Sequence, residues 1–299
     1  TAIETLVPVT LIVGADSFIG EALMANFQRM GVPVVGTTRR REAMDKSLLY
    51  LDLLEDMSRW DCPYPIGVAI ICAGITIMNE CKNDPEGSRR VNVEGISTLT
   101  RNLSAKGVFI VYLSTNAVFD GSKPNRLPDE VSPATEYGRQ KVKAERKILQ
   151  LGDSIAIVRL TKVMGPQMPI FSAWSEDLRN DKIIYPFSDL TMTAVPLPYV
   201  ISTLKLIADT KSCGIFQISS DRDISYAEAA YLGARALNVN ENLIQPISIS
   251  QSDMKLEHYF QYTTMNSDRL KSTFGIVPPD VSWTIEMAFT NPQLLSGII

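Results

Sequence analysis

The sequence predicts an α/β fold: a doubly wound parallel sheet followed by a small C-terminal α/β region. Three observations carry this expectation. Short β-branched runs alternate with helical patterns through the first half of the chain, as β-α-β units with a parallel sheet require. The first of these runs flows straight into a glycine-bounded turn that opens a helix. After Gly165-Pro166 the alternation weakens under a series of prolines, Pro166, Pro169, Pro186, Pro196 and Pro198, which marks a change of architecture.

The elements follow in order. Thr10 to Val13 reads as the first strand. The next helix carries Ile19, Leu23 and Phe27 at four-residue spacing, so they share one face, and Gly31 ends it. Val34 to Thr37 is the second strand, with Pro33 tolerated just ahead of it. Val68 to Cys72 is the third strand, Val91 to Leu103 a helix, Val108 to Leu113 the fourth strand, Thr135 to Leu151 a long helix and Ile155 to Leu160 the fifth strand. We place the domain change near residue 165. The first domain then spans 1–165 and a substrate-side region 166–299, with part of the later chain left free to return to the first domain. In the second region Ile183 to Pro198 and Gly214 to Ile218 read as strands and Ser225 to Leu237 as a helix. No internal repeat or low-complexity segment is present.

Composition narrows the classes. A chain of 299 residues with 45% hydrophobic and 21% charged residues suits a globular α/β protein. A net charge of -4 leaves no basic footprint for nucleic acid, and Arg39-Arg40-Arg41 is the only dense basic cluster near the N-terminus. No apolar run approaches the ~20 residues that span a bilayer, and Thr1 to Thr10 lacks a charged-then-apolar leader pattern. Cys62, Cys72, Cys81 and Cys213 show no Cys-x-x-Cys pair and no metal spacing. A reduced, cytoplasmic setting without a metal is therefore expected. The single histidine, His258, all but removes His-Cys, His-Ser and multi-histidine metal mechanisms. Being far along the chain, it is read as structural.

Gly14-Ala15-Asp16-Ser17-Phe18-Ile19-Gly20 follows a strand and opens a helix. A diphosphate needs a tight turn, close backbone approach and a helix N-terminus. Gly14 and Gly20 meet two of these needs. Ser17 stands where a middle glycine is usual; its side chain is small and its hydroxyl is available to donate to phosphate. Phe18 and Ile19 complete the expected cofactor turn of a Rossmann-type site. The second strand runs into Gly36-Thr37-Thr38-Arg39-Arg40-Arg41. An acidic residue at this strand end would bind a ribose 2′-hydroxyl and repel a 2′-phosphate. Here Thr38, Arg39 and Arg40 supply hydroxyl and guanidinium groups, which fit a phosphate, so NADP(H) is favoured over NAD. Asp52-Leu53 is placed beside the adenine, and Cys72-Ala73-Gly74 ends the third strand where the cofactor must pass close to backbone.

Tyr137 and Lys141 are four apart at the start of a predicted helix and share a face. A nearby ammonium favours the phenolate and lowers a tyrosine pKa from its free value near ~10, which suits Tyr137 to proton donation to a carbonyl. Thr115, at the end of the fourth strand, is placed to hold the same oxygen. Such a pair taken alone is more often a surface pair on an amphipathic helix. The order of the elements around it sharpens the signal.

Gly14-x-x-Ser17-x-x-Gly20, Val91-Asn92-Val93-Glu94-Gly95, Leu113-Ser114-Thr115-Asn116-Ala117-Val118-Phe119-Asp120-Gly121 and Tyr137-Gly138-Arg139-Gln140-Lys141 together resemble the extended short-chain dehydrogenases/reductases. The Ser-Thr-x-x-Val-Phe-Asp-Gly stretch is most similar to the dTDP-4-dehydrorhamnose reductase branch. Gly214 to Ser219 and Asp268 to Gly275 extend the resemblance over nearly the whole chain. It implies a Rossmann domain with a small C-terminal substrate domain and an active site between them. It also implies a triad of Thr115, Tyr137 and Lys141, with Lys141 also on the nicotinamide ribose, Asn92 among the cofactor residues, and a nucleotide-linked sugar as substrate. Family members are often homodimers. The branch usually carries Asp-Tyr where this chain has Asn116-Ala117. With no acid or base there, dehydration is not expected. Lys162 stands where relatives often have Asn. Asn116 and Lys162 are the candidate substrate contacts, Lys162 either on a substrate diphosphate or merely solvated.

The expected activity is NADPH-dependent reduction of a keto group on a nucleotide-linked 4-keto-6-deoxy sugar. The alternatives are a ketoreductase of a non-sugar metabolite and a non-catalytic NADP-binding regulatory subunit, both of which this fold accommodates.

Overall fold

The computed structural model describes residues 7–297; residues 1–6, where the Thr1 to Thr10 leader reading begins, and 298–299 lie outside the described residues. Strands β1 (Val9–Val13), β2 (Val34–Thr38), β3 (Leu48–Tyr50), β4 (Ile66–Ile71), β5 (Phe109–Thr115) and β6 (Ile155–Leu160) come first, followed by β7 (Val163–Met164), β8 (Thr191–Met192), β9 (Val195–Pro196), β10 (Gly214–Ile218) and β11 (Ile224–Ser225). The helices are α1 (Phe18–Arg29), α2 (Met78–Asn83), α3 (Pro85–Arg89), α4 (Ile96–Ala105), α5 (Glu136–Leu149), α6 (Pro169–Arg179), α7 (Leu197–Thr210), α8 (Tyr226–Leu237), α9 (Asp268–Phe274) and α10 (Val281–Thr290).

Seven strands form one sheet in the order β10-β6-β5-β4-β1-β2-β3, and every recorded pairing within it is parallel. The runs are apolar because both faces are covered. On one face Ile12, Ile70, Val111 and Val158 pack with Leu23 and Phe27 of α1 and Val200 and Leu204 of α7. On the other, Leu11, Ile71, Ile110 and Ile157 pack with Leu99 and Leu103 of α4 and Ile148 of α5. Each such aliphatic side chain taken fully from water stabilises the fold by about 1.5–3 kcal/mol.

The strand order reverses between β1 and β4. The chain first winds outward to β2 and β3, then returns to build β4, β5 and β6 on the other side. Ligands of such sheets bind at this switch point, beyond the carboxyl ends of the strands. Gly14 and the Cys72-Ala73-Gly74 segment sit there, with the Cys72 N–H donating to the Val13 carbonyl at 2.8 Å.

β10 lies past residue 165 and forms an edge of the main sheet, paired with β6, a return of the later chain that the sequence reading left open. The structure differs from the sequence reading in several places. Ile183 to Pro198 is no continuous strand: it holds only the two-residue β8 and β9. β3 was not read from the pattern, being three residues long. The helix expected from Val91 is a π-helical turn, Arg90–Gly95, that runs into α4. A separate core holds the C-terminal region: Phe171, Leu178, Ala230, Ile285 and Phe289 join α6, α8 and α10. No helix among the described residues is long and apolar enough to cross a membrane.

Candidate functional site

The glycine turn at the end of β1 shapes the first cleft. Gly14 adopts φ +84, and a Cβ there would lie 2.8 Å from the Ala73 backbone nitrogen. A Cβ on Gly20 would run into the Gly14 carbonyl oxygen. The two glycines therefore let the turn, the first turn of α1 and the end of β4 approach backbone to backbone, a cradle that fits a diphosphate at a helix N-terminus. Ser17 caps α1: its hydroxyl accepts from the Gly20 N–H at 3.2 Å and donates to the Gly14 carbonyl at 2.7 Å. The donation to phosphate expected of that hydroxyl is thus already committed inside the turn.

This cleft, of about 520 Å3, is lined by Gly14, Ser17, Thr38, Arg39, Arg40, Asp52, Leu53, Ala73 and Gly74, as the sequence predicts, and also by Asp16. Two predicted cofactor residues, Gly20 and Asn92, line neither this cleft nor the one beyond it. Gly20 is buried in α1 and acts through the close approach just described. Asn92 is 3% exposed and spends its amide on the protein. Its Nδ2 donates to the Ile75 carbonyl at 2.9 Å and to Gln140 Oε1 at 3.0 Å, and its Oδ1 accepts from the Ile75 N–H at 2.8 Å. It fixes the loop after β4 instead of facing the cleft.

A second cleft of about 760 Å3 opens beyond the first and shares Ser17 and Ala73 with it. Thr115, Asn116, Tyr137, Lys141 and Lys162 line it, together with Phe18, Ile19 and Cys72, three residues expected with the cofactor. Thr115 ends β5, and its hydroxyl accepts from the Ala117 N–H at 3.1 Å. Thr135 caps α5 through the Gly138 N–H at 3.0 Å. A Cβ on Gly138 would strike the Ala117 carbonyl, so this glycine lets α5 press onto the turn after β5 and sets Tyr137 beside Thr115.

The electrostatics differ from the expectation for Tyr137. Burial pushes its phenol up to about 12, opposed by a hydrogen bond with Thr115. Lys141 does not pull it down, because its ammonium is directed elsewhere: Nζ donates to the Leu113 carbonyl at 2.7 Å and lies 4.2 Å from the centre of the Tyr112 ring. Burial pushes Lys141 itself down to about 8, with the Glu145 carboxylate one turn along α5 opposing the shift. Tyr137 therefore carries its proton at neutral pH and is an acid in this arrangement. Burial also pushes the Cys72 thiol up to about 12, which leaves no nucleophilic thiolate in the cleft.

Sequence reasoning missed part of this wall. His258, read as structural, lines the second cleft. Its Nε2 lies 2.5 Å from the Asp120 carbonyl and its ring stands edge-on to Phe260 at 4.8 Å. Tyr226, Thr191 and Phe260 line the same cleft from the C-terminal region. No local pattern marks these residues, because long-range packing alone brings them in. Asp16 was legible within the glycine turn, yet its type carries no expectation there.

Similarity to known proteins agrees with this geometry. The family model described as RmlD substrate binding domain matches residues 9–292. The "Probable low-salt glycan biosynthesis reductase" of Haloferax volcanii is 25% identical over 225 residues, covering 72% of this chain and 75% of that protein. Methionine adenosyltransferase 2 subunit beta of Bos taurus is 27% identical over 254 residues, covering 80% of this chain and 75% of that protein. Among solved structures, dTDP-4-dehydrorhamnose reductase from Bacillus anthracis in complex with NADP matches with a TM-score of 0.78 at 18% identity, over 96% of this chain and 99% of that one.

Proposed function

Because the chain belongs to the RmlD substrate binding domain family, we propose that it is an NADPH-dependent reductase of a keto group on a nucleotide-linked 4-keto-6-deoxy sugar. One observation carries this reading. The cleft built on the glycine turn joins, at Ser17 and Ala73, a second cleft whose wall holds Thr115, Tyr137 and Lys141. The names of the Haloferax and Bacillus relatives, a glycan biosynthesis reductase and a dTDP-4-dehydrorhamnose reductase, support the substrate class.

NADPH, when bound, supplies the hydride. The chain supplies the rest. Arg39, with Thr38 and Arg40 beside it in the same cleft, would receive the 2′-phosphate, and Gly14 and the first turn of α1 would receive the diphosphate. Tyr137 holds a proton on Oη and delivers it to the carbonyl oxygen as that oxygen gains charge. Thr115 fixes the same oxygen. Lys141 presents a buried cation beside the junction of the two clefts and binds the nicotinamide ribose. Asn116 and Lys162 meet the substrate.

The test is NADPH oxidation with a panel of 4-keto nucleotide-sugars, run beside Tyr137→Phe. Turnover in the parent that falls about 10²-fold or more in the variant supports the reductase; a variant as fast as the parent removes Tyr137 from the chemistry. The bovine relative, named as a subunit of another enzyme, favours a second reading: a non-catalytic NADP-binding regulatory subunit. Tight NADPH binding without turnover on any keto substrate would select it.

A further inference from the structure

Thr38, Arg39 and Arg40 are the residues expected on a phosphate, and the structure engages two of the three guanidinium groups of the arginine run. Arg41 lies over the Tyr50 ring at 3.7 Å and pairs with Glu55 at 3.7 Å. The Arg40 Nε lies 3.5 Å from Asp16 Oδ2. The same carboxylate oxygen accepts the Thr38 hydroxyl proton at 2.8 Å, and Thr38 Oγ1 in turn accepts the Arg40 backbone N–H at 3.0 Å. Arg39 has no ion-pair partner among the described residues. Asp16, Thr38, Arg39 and Arg40 all line the first cleft.

We propose that Asp16 determines cofactor preference, by competing with the adenosine 2′-phosphate for Arg40 and for the Thr38 hydroxyl. This rests on the reading of the first cleft as a dinucleotide site. The charge argument is direct. A 2′-phosphate reaching Arg40 enters the neighbourhood of an existing carboxylate, and like charges at such range repel. The Thr38 hydroxyl has one proton, and Asp16 holds it. A 2′-hydroxyl meets neither obstacle and can itself donate to Asp16. The phosphate preference of the parent therefore falls chiefly to Arg39, and Asp16 narrows that preference. Asp16 occupies, from the glycine turn, the place that an acidic residue at the end of β2 takes in NAD-binding sites.

The experiment is a binding titration of NADPH and of NADH, followed by nicotinamide fluorescence, on the parent, Asp16→Asn and Asp16→Ala. The ratio of the two affinities is the readout, and no substrate is needed. Asp16 is partly exposed, so both variants are expected to fold. Asp16→Asn removes the charge and should shift the ratio toward NADPH by roughly fivefold, the scale of one exposed ion pair. Asp16→Ala also frees the Thr38 proton and should shift it further. A ratio unchanged within about twofold in both variants overturns the proposal. So does an equal loss of both affinities, which would make Asp16 only a support of the turn. If the parent binds neither dinucleotide, the cofactor reading itself fails and takes this proposal with it.

Discussion

Lys141 is a buried amine in the wall of the second cleft. It is 8% exposed, has one carbonyl and one ring for company, and is held near a pKa of about 8 against an ordinary 10.5. The folded state thus releases a proton that the unfolded chain still holds between those two values. In that window stability rises with pH. Below it the buried ammonium is a standing cost; above it the cost is gone. Lys141→Met is therefore expected to gain most over the parent below pH 8 and to lose that advantage as the pH approaches 10.5. Urea unfolding of both proteins at a neutral and an alkaline pH checks this; an advantage that grows with pH would contradict it. The cation is retained despite its cost, which fits a role at the cleft rather than in packing. The spacing of Tyr137 and Lys141 was legible in the sequence, but the direction of the Lys141 side chain was not. A strand carbonyl and a ring from β5 capture it, and neither is local to α5.

At the scale of elements, regular pieces were legible and compensating pieces were not. β1, α1, β4, β5, α5 and β6 announce themselves by long apolar runs or by a three- and four-residue apolar period. β3 is too short to show a period, and β8 and β9 form only where distant segments meet. The π-helical turn, Arg90–Gly95, is the informative miss. One extra residue in the turn is a common device at functional sites. Here it carries Asn92, which satisfies both the N–H and the carbonyl of Ile75 and reaches Gln140 on α5. The loop that joins the two clefts is thus tied to the helix bearing Tyr137. Asn92→Leu removes the partners of the part-buried Ile75 N–H and carbonyl, at a cost of about 1 kcal/mol. It should also weaken NADPH binding although Asn92 lines neither cleft. A calorimetric melt together with an NADPH titration checks both; an unchanged affinity in a destabilised protein would restrict Asn92 to folding.

At the scale of the whole molecule the sheet, packed on both faces, and the separate C-terminal core meet at the second cleft. A buried ion pair stitches the sheet side: Arg159 on β6 binds Glu145 on α5 at 2.6 Å, and also bonds Gln217 on β10 and the Pro128 carbonyl. Gln217 in turn donates to the Arg126 and Asn266 carbonyls, so the later chain is anchored to the early sheet through polar groups as well as packing. The C-terminal core is different in kind. Phe171 is fully buried and touches Trp174, Tyr226 and Phe289, with ring centres 5.7, 6.3 and 5.6 Å away. Tyr226 also faces the second cleft, but none of these four residues lines the first. Phe171→Ala empties the centre of that core at a cost of about 3–5 kcal/mol, and the loss should fall unevenly. NADPH binding is expected to survive, because the glycine turn, the arginine run and the loop after β4 rest on the main sheet. Affinity on the substrate side is expected to fall, because Tyr226 loses the ring that backs it. Titrating NADPH and then a 4-keto nucleotide-sugar into the parent and the variant separates the two. Equal losses would mean that the cores fold and bind as one unit, and the substrate side would then have no packing of its own to tune.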